Sequence, residues 1–509
     1  MYVTLLVLSV LMFGIVCVVY WRHPAASMFH PATFYLAFHG LVYVIRPIFA
    51  WYYNFSEMYV AIGFSPTVWD KTRVLICANL GLIVFIAVVL WIARDPLDFR
   101  QDAADQEERN LLLRWFWIAA IPLGAVGLYS VWWLLQFRLT GQALMAHDEY
   151  SGASSLQAGG GYLLSASVFL GSISVMIAYL GRFRLWSLMP FVVFAVLRLG
   201  TGMRGVVVTS AVAMGLLYLF SKKRKWPGLA VVLPLLLFIP VFNAIQVDRG
   251  SGLREAFGFD TRDDVYAGKE SKARKPLETM DLANMEFFEF VMTVVPAKTG
   301  TYDYFVENLQ LFVAPIPRAL WKDKPIGAPI KRFEMYRYGK QLGATYSLPG
   351  VGWYYMGYLG VVIWCGLFGL IYGYAYRWLV KAGQSNLAIM AYCIWISISI
   401  ISFRDGVLYT IISQSLFFFI PVVALLIVAR VCGLPTADVL RRRLRDKALG
   451  FHGDAAPITP QARRLAGVVA TLEPSRETVP ASIEPDAMTP RQRRLARMNG
   501  ARWDAGCWR

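Results

Sequence analysis

Eleven long apolar runs, separated by polar breaks, constrain this chain more than any other feature. A run of about 17–25 apolar residues can cross a bilayer as a helix. Helices and closed barrels are the only ways to satisfy the backbone there. The runs are Tyr2–Tyr20, Ala32–Tyr53, Val74–Ala93, Trp115–Phe137, Tyr162–Leu180, Leu185–Leu199, Gly205–Phe220, Leu229–Val247, Val351–Tyr376, Leu387–Phe403 and Val407–Ala429. They are continuously apolar rather than alternating, which argues against a barrel. The pair Leu185–Leu199 and Gly205–Phe220 is short for full spans and reads as two tight helices or a re-entrant pair. Charged residues make up 16% of the chain, against about a quarter in soluble proteins. The expected class is an all-α polytopic membrane protein with about eleven transmembrane helices, one long periplasmic loop and a basic cytoplasmic tail.

Lysine and arginine in short loops predict orientation. Ser221-Lys222-Lys223-Arg224-Lys225 and Arg441-Arg442-Arg443-Leu444-Arg445 both belong inside, and an eleven-span chain satisfies both. Arg22, the loop Arg94–Arg109, Arg182, Arg184, Arg377 and Lys381 then fall on the same side. The amino terminus is expected outside and the carboxyl terminus in the cytoplasm. Met1–Thr4 carry no positive side chain, which argues against a cleaved signal peptide. The predicted organisation is helices 1–8 over 1–247, a periplasmic loop with short amphipathic helices over 248–350, helices 9–11 over 351–430, and a largely disordered basic tail over 431–509.

The net charge of +17 is not a nucleic-acid signature, because the excess sits in inner loops and the tail, where anionic lipid attracts it. None of the six cysteines falls in an outer loop, so no disulfide framework is expected there. No Cys/His set has zinc spacing, and the chain carries no P-loop, dinucleotide fingerprint or HExxH. In the tail, Thr459-Pro460-Gln461-Ala462-Arg463-Arg464-Leu465-Ala466 recurs as Thr489-Pro490-Arg491-Gln492-Arg493-Arg494-Leu495-Ala496. Two readings stand for it, a docking motif and a disordered basic tail, and the second is favoured.

The outer stretch Asp248–Pro349 is where chemistry is expected. Arg249–Pro276 is polar. Asp281–Val295 places Leu282, Met285, Phe288, Val291, Met292 and Val295 at helical spacing, as a helix lying on the membrane or as part of a packed external cap. Charges in or beside spans are functional or paired. Arg46 precedes Pro47 in the outer half of the second span. Arg198 and Arg204 bracket a short outer turn, Arg249 follows Asp248 at the end of the eighth span, and Arg404 precedes Asp405 between the last two. All five arginines gather outside. The guanidinium presents a planar fork to phosphate oxygens, which suits the diphosphate head of a lipid carrier. The other reading is interfacial snorkelling. Ile316-Pro317-Arg318-Ala319-Leu320-Trp321-Lys322-Asp323-Lys324-Pro325 adds cations and Trp321, which can stack on a sugar or anchor at the head groups. A general base has several outer candidates: Asp248, Asp263, Asp264, Glu286, Glu289, Glu334, Asp405 and His147. Asp248 and Asp405 also read as salt-bridge partners of their neighbours, and His147 as a solvated loop residue.

At these residues the chain resembles the bacterial Wzy-type family of O-antigen and exopolysaccharide repeat-unit polymerases. The resemblance covers the span pattern to about Ala429, the turn Gly202-Met203-Arg204-Gly205, and Pro317-Arg318…Trp321…Lys324-Pro325 followed by Gly350–Gly360 entering a span. It implies a metal-independent glycosyltransferase of the cytoplasmic (inner) membrane, working on its periplasmic face. A glycan on polyprenyl diphosphate is transferred to a new lipid-linked repeat unit, and the diphosphate lipid leaves. Arg204 and Arg318, with Lys324 behind them, would hold the diphosphate. No cofactor is implied. The partners implied are polyprenyl-diphosphate-linked oligosaccharide, membrane lipids, a chain-length-regulating membrane protein and a flippase. A glycan ligase and a lipid-linked-oligosaccharide flippase are the competing readings. The spans show no repeat halves of the kind that favours a transporter.

Overall fold

The computed structural model describes residues 1–99, 103–139, 145–147, 154–156, 162–200, 205–228, 282–313, 345–382 and 385–433, with shorter pieces within 275–278, 315–339 and 435–444. Met1–Leu444 form one compact unit; Arg445–Arg509, including both copies of the Thr-Pro repeat, lie outside the described residues. The described chain is helical apart from one antiparallel hairpin, β1 (Met145–His147) paired with β2 (Ser154–Leu156). Among the described residues the helices longer than ten residues are α1 (Tyr2–Trp21), α2 (Pro31–Tyr53), α3 (Val68–Ile92), α4 (Ala103–Leu139), α5 (Val168–Leu180), α6 (Leu185–Gly200), α7 (Gly205–Ser221), α8 (Asn284–Val294), α9 (Ser347–Lys381), α10 (Asn386–Asp405) and α11 (Leu408–Val431). Seven of them, α1 to α4 and α9 to α11, are long and apolar enough to cross a membrane. The predicted span Leu229–Val247 lies outside the described residues, and α5, α6 and α7 are shorter apolar helices.

Two helices depart from the simple spans read from hydropathy, each for a local reason. In α2, Gly40–Ile45 widens to a π-helical turn just before Arg46-Pro47. Proline lacks the N–H for the helix ladder, and its ring crowds the carbonyl four residues back; the wider turn relieves both. In α9, Met356 and Gly357 are non-helical. Gly357 has φ +62°, a conformation glycine adopts without strain. The helix reverses here. Gly352 lies against Gly360 and Val361, and Gly81 of α3 touches both Pro349 and Cys365. Residues 347–355 are therefore a short arm folded antiparallel along the span 358–381. Nine residues rise about 13 Å. The close approach needs residues without side chains: a Cβ on Gly352 would lie 2.7 Å from the Val361 Cα. The single predicted span Val351–Tyr376 is thus an arm plus a span, with the arm buried along its whole length.

The long-range contacts sort the helix termini into two ends. At one end, the base, Met28 N–H donates to the Lys225 carbonyl (2.9 Å), and His30 bonds the Ala93 carbonyl through Nε2 (3.0 Å). Glu108 of α4 accepts from the Asn386 backbone N–H (3.1 Å) and side-chain amide (2.8 Å), capping α10 from a different helix. The Tyr179 hydroxyl donates to Asn386 Oδ1 (2.8 Å). At the other end, the crown, α8 inserts between α3, α9 and α2. Its residues 284–292 are all buried. The apolar spacing over Asp281–Val295 therefore marks a helix packed inside the protein, not one lying on its surface.

Candidate functional site

The crown is built on the start of α3 and the broken top of α9. Thr67 and Asp70 form a reciprocal cap: Asp70 N–H donates to Thr67 Oγ1 (3.1 Å), and Thr67 N–H donates to Asp70 Oδ2 (3.0 Å). The same carboxylate holds Arg73 one turn on, at 2.6 Å. Arg73 thereby stands 5.7 Å from the ring of Trp353, on the arm of α9. The Trp353 indole N–H donates to the Val295 carbonyl (2.9 Å), which fixes the ring at the end of α8.

The segment 302–309 lies across the break. Asp303 N–H donates to the Tyr354 carbonyl (3.1 Å) and Tyr304 N–H to the Tyr355 carbonyl (2.9 Å), satisfying the arm's open end. Tyr304 and Phe305 both hold positive φ, 52° and 64°. Two consecutive non-glycine residues in this region are strained by about 1–3 kcal/mol each and persist only where the surroundings over-determine them. The result is a line of rings. Tyr302 lies 6.1 Å from Trp353 and 6.3 Å from Tyr304, and Arg332 stands 5.3 Å from the Tyr304 ring. The order is Arg73, Trp353, Tyr302, Tyr304, Arg332. Tyr304 and Arg332 are exposed and Arg73 and Tyr302 half-buried, so the line is open to the outside at one end. Flat rings offer stacking faces to sugar rings, and guanidinium groups offer forks to phosphate.

Carboxyl groups flank this line. Asp303 is buried, and its Oδ2 accepts from the Glu307 N–H (3.1 Å). Burial raises its carboxyl, while the Glu307 and Val306 N–H groups, Arg332 and the Tyr354 hydroxyl oppose the rise. Glu307 is half-buried; desolvation first and then Asp303 push it up to about 7, against Lys331. Deeper in the crown, Glu289 of α8 accepts from the Tyr59 hydroxyl (2.7 Å). Burial pushes Glu289 up to about 8; Lys71, Tyr59 and Arg46 oppose the rise and Glu286 adds to it.

The residues expected from the sequence fall into separate places. Arg46 is buried and donates to both oxygens of Glu286, through Nε (3.2 Å) and Nη2 (2.6 Å), and to the Leu277 carbonyl. Its guanidinium is engaged by the protein. Arg404 pairs with Asp405 at 2.9 Å, while its carbonyl accepts from Asn284 of α8 (2.8 Å). Lys324 donates to the carbonyls of Val313 (3.3 Å) and Ile316 (2.9 Å), closing its own loop. Trp321 is half-buried, and Glu334 is exposed and paired with Arg337. Arg198 is buried near the end of α6, and His147 stands in β1 opposite Ser154. Arg204, Arg249 and Arg318 lie outside the described residues, as do Asp248, Asp263 and Asp264. The structure brings Arg46 and Arg404 to the first turn of α8 and holds Lys324 in a different loop.

Sequence reasoning passed over Arg73, Asp303, Glu307 and the aromatic line. Asp70-Lys71-Thr72-Arg73 carries a signal of its own, three charges directly before an apolar run. Tyr302-Asp303-Tyr304, in the middle of the polar insertion, and Trp353-Tyr354-Tyr355, just after it, are aromatic clusters. Among the described residues no group of three or more metal-ligating side chains is brought together, and the five described cysteines are free. Comparison with family models, curated proteins and solved structures finds no match for this chain.

Proposed function

We propose that the chain is a membrane glycosyltransferase that polymerises polyprenyl-diphosphate-linked oligosaccharide repeat units into a surface polysaccharide, at the periplasmic face of a bacterial cytoplasmic membrane. The observation that carries this reading is the line Arg73, Trp353, Tyr302, Tyr304, Arg332 at the crown. Its open end, the exposed Tyr304 with the half-buried Tyr302, offers sugar-stacking faces beside Arg332, while the buried Trp353 links these rings to Arg73. Transfer from a diphosphate-linked sugar develops negative charge on the leaving group, and preorganised cations stabilise it. The motifs shared with the Wzy-type polymerases support the same reading from the sequence.

The proposed topology has eleven spans, with 229–247 as the eighth and the crown outside. Its support is the charge asymmetry between the two ends. The base holds Arg22, Arg182, Arg184, Lys222, Lys223, Arg224 and Lys225 in short turns, as the positive-inside rule requires of a cytoplasmic face. Tyr374, Arg377, Trp378 and Lys381 line an open pocket of about 520 Å3 near that end of α9. Aromatic and basic side chains of this kind anchor at head groups.

The test is deletion of the gene followed by gel analysis of the surface glycan. The polymerase reading expects single repeat units capped onto the acceptor and no ladder. Unpolymerised units trapped on the cytoplasmic side would instead identify a flippase. Long chains left on the carrier lipid would identify a ligase.

A further inference from the structure

The crown holds several carboxyl groups, and most are occupied. Glu286 is clamped by Arg46, Asp70 by Thr67 and Arg73, and Asp405 by Arg404. Glu278 caps the short helix 57–62 through the Ser56 and Glu57 N–H groups, and Glu334 pairs with Arg337. Glu289 is buried with Tyr59. Glu307 differs: it is half-buried, it sits three residues from Tyr304 in the turn bonded to the end of the α9 arm, and no described hydrogen bond ends on its carboxylate.

We infer that Glu307 is the general base of the transfer, taking the proton from the acceptor sugar's hydroxyl, and that Asp303 is a positioning residue that holds it ready. The inference rests on the glycosyltransferase reading. In the step, the acceptor hydroxyl oxygen bonds to the anomeric carbon of the donor sugar. The bond from that carbon to the diphosphate oxygen breaks, and its electron pair leaves with the diphosphate, which Arg332, beside Tyr304 and Asp303, stabilises. The hydroxyl proton passes to a Glu307 carboxylate oxygen.

The geometry supplies each requirement. Asp303 and Tyr304 are bonded to the end of the α9 arm, so the turn carrying Glu307 has a fixed base. Asp303 Oδ2 binds the Glu307 N–H and adds negative charge beneath the carboxyl. The charged and titratable groups that face Glu307 are Asp303, Lys331, Tyr354 and Tyr355, with Arg332 acting on Asp303. A base poised near neutral pH gives the best product of ionised fraction and proton affinity.

The test uses the full-length protein in membranes and lipid-linked repeat units extracted from the gene-deletion strain, with chain length followed against pH. Glu307→Gln is expected to slow chain growth by about 10²-fold or more, and Glu307→Asp to recover part of it. Asp303→Asn removes a negative neighbour, so the acidic limb of the pH–rate profile should move to lower pH. A limb that stays in place, whatever the change in rate, would mean that the group it reports does not feel the Asp303 charge and is not Glu307. Wild-type growth by Glu307→Gln, or an unmoved limb in Asp303→Asn, overturns the assignment of the base and leaves the polymerase standing. If Glu307→Gln does not accumulate, the Asp303→Asn limb decides alone. Wild-type protein that fails to extend the extracted units overturns both readings.

Discussion

Arg46 and Arg73 stand at the same end of the bundle and are used in opposite ways. Arg46 is closed off: it is buried, and its donors are taken by Glu286 and the Leu277 carbonyl. Arg73 keeps one partner, Asp70, and is a quarter exposed beside the Trp353 ring. The first joins α2 to the polar insertion across 240 residues of sequence. The second is held in place by the cap of its own helix and faces the line of rings. A cation near a membrane surface is therefore not a ligand site by virtue of its type. Whether its partners have already used its donors decides what it can do.

The largest expected effect breaks the closed half of that comparison. Arg46→Ala leaves the Glu286 carboxylate buried without its partner, and loss of one member of a buried pair costs about 3–5 kcal/mol. Unfolding in detergent should show that loss. Replacing both partners, Arg46→Met with Glu286→Leu, should recover most of it. An Arg46→Ala variant as stable as Arg73→Ala would end the distinction.

Next in size is the junction that supports the open half. Gly352→Ala drives a methyl group toward the Val361 Cα and forces the arm away from its span, at about 1–3 kcal/mol. Chain growth should fall with it, because Trp353, Tyr354 and Tyr355 all ride on the arm.

A smaller effect concerns pH. The Glu289 carboxyl is raised from 4.5 to about 8 in the folded protein. Its contribution to stability is full below the unfolded value and is lost as pH rises through about 8. Thermal unfolding between pH 6 and 9 should show stability falling with pH, and Glu289→Gln should flatten that slope. An unchanged slope would show that Glu289 is not the group responsible.

The smallest effect on stability belongs to Arg332→Ala, within about 0.5 kcal/mol, because the side chain is exposed. Its effect on chain growth should be large. A variant that folds and elongates like the wild type would remove Arg332 from the site and sharpen the role of Arg73.

Much of the helical framework was legible because hydropathy is a property of contiguous residues. α1, α2, α10 and α11 start and stop within two residues of the predicted runs, whereas α3 begins six residues and α4 twelve residues earlier, because a helix can continue through polar turns that hydropathy does not register. Val351–Tyr376 reads as one span because every residue of the arm is apolar enough to continue it. The reversal depends on the φ of Gly357 and on Gly352 meeting Gly360, neither of which changes the hydropathy. Likewise Glu286 and Glu289 made Asp281–Val295 look amphipathic, with a polar face for water. That face meets Arg46 and Tyr59 instead. Arginine at the crown was legible as a residue type. Its partners were not, since Glu286 lies far along the chain from Arg46. The aromatic line was invisible for the same reason, its members coming from α3, the interior of the insertion and the arm of α9.

The folded-back arm of α9 also has a consequence for how the protein is made. Insertion into a bilayer is governed by hydrophobic length, and a helix of about 13 Å falls far short of the roughly 30 Å hydrocarbon core. Residues 347–355 cannot enter as an independent unit; the following span, 358–381, must bring them in. Their last carbonyls, at Tyr354 and Tyr355, then wait for the N–H groups of Asp303 and Tyr304. The residues of the crown line thus come together only once the span 358–381 is in place, after α1 to α4 have been made.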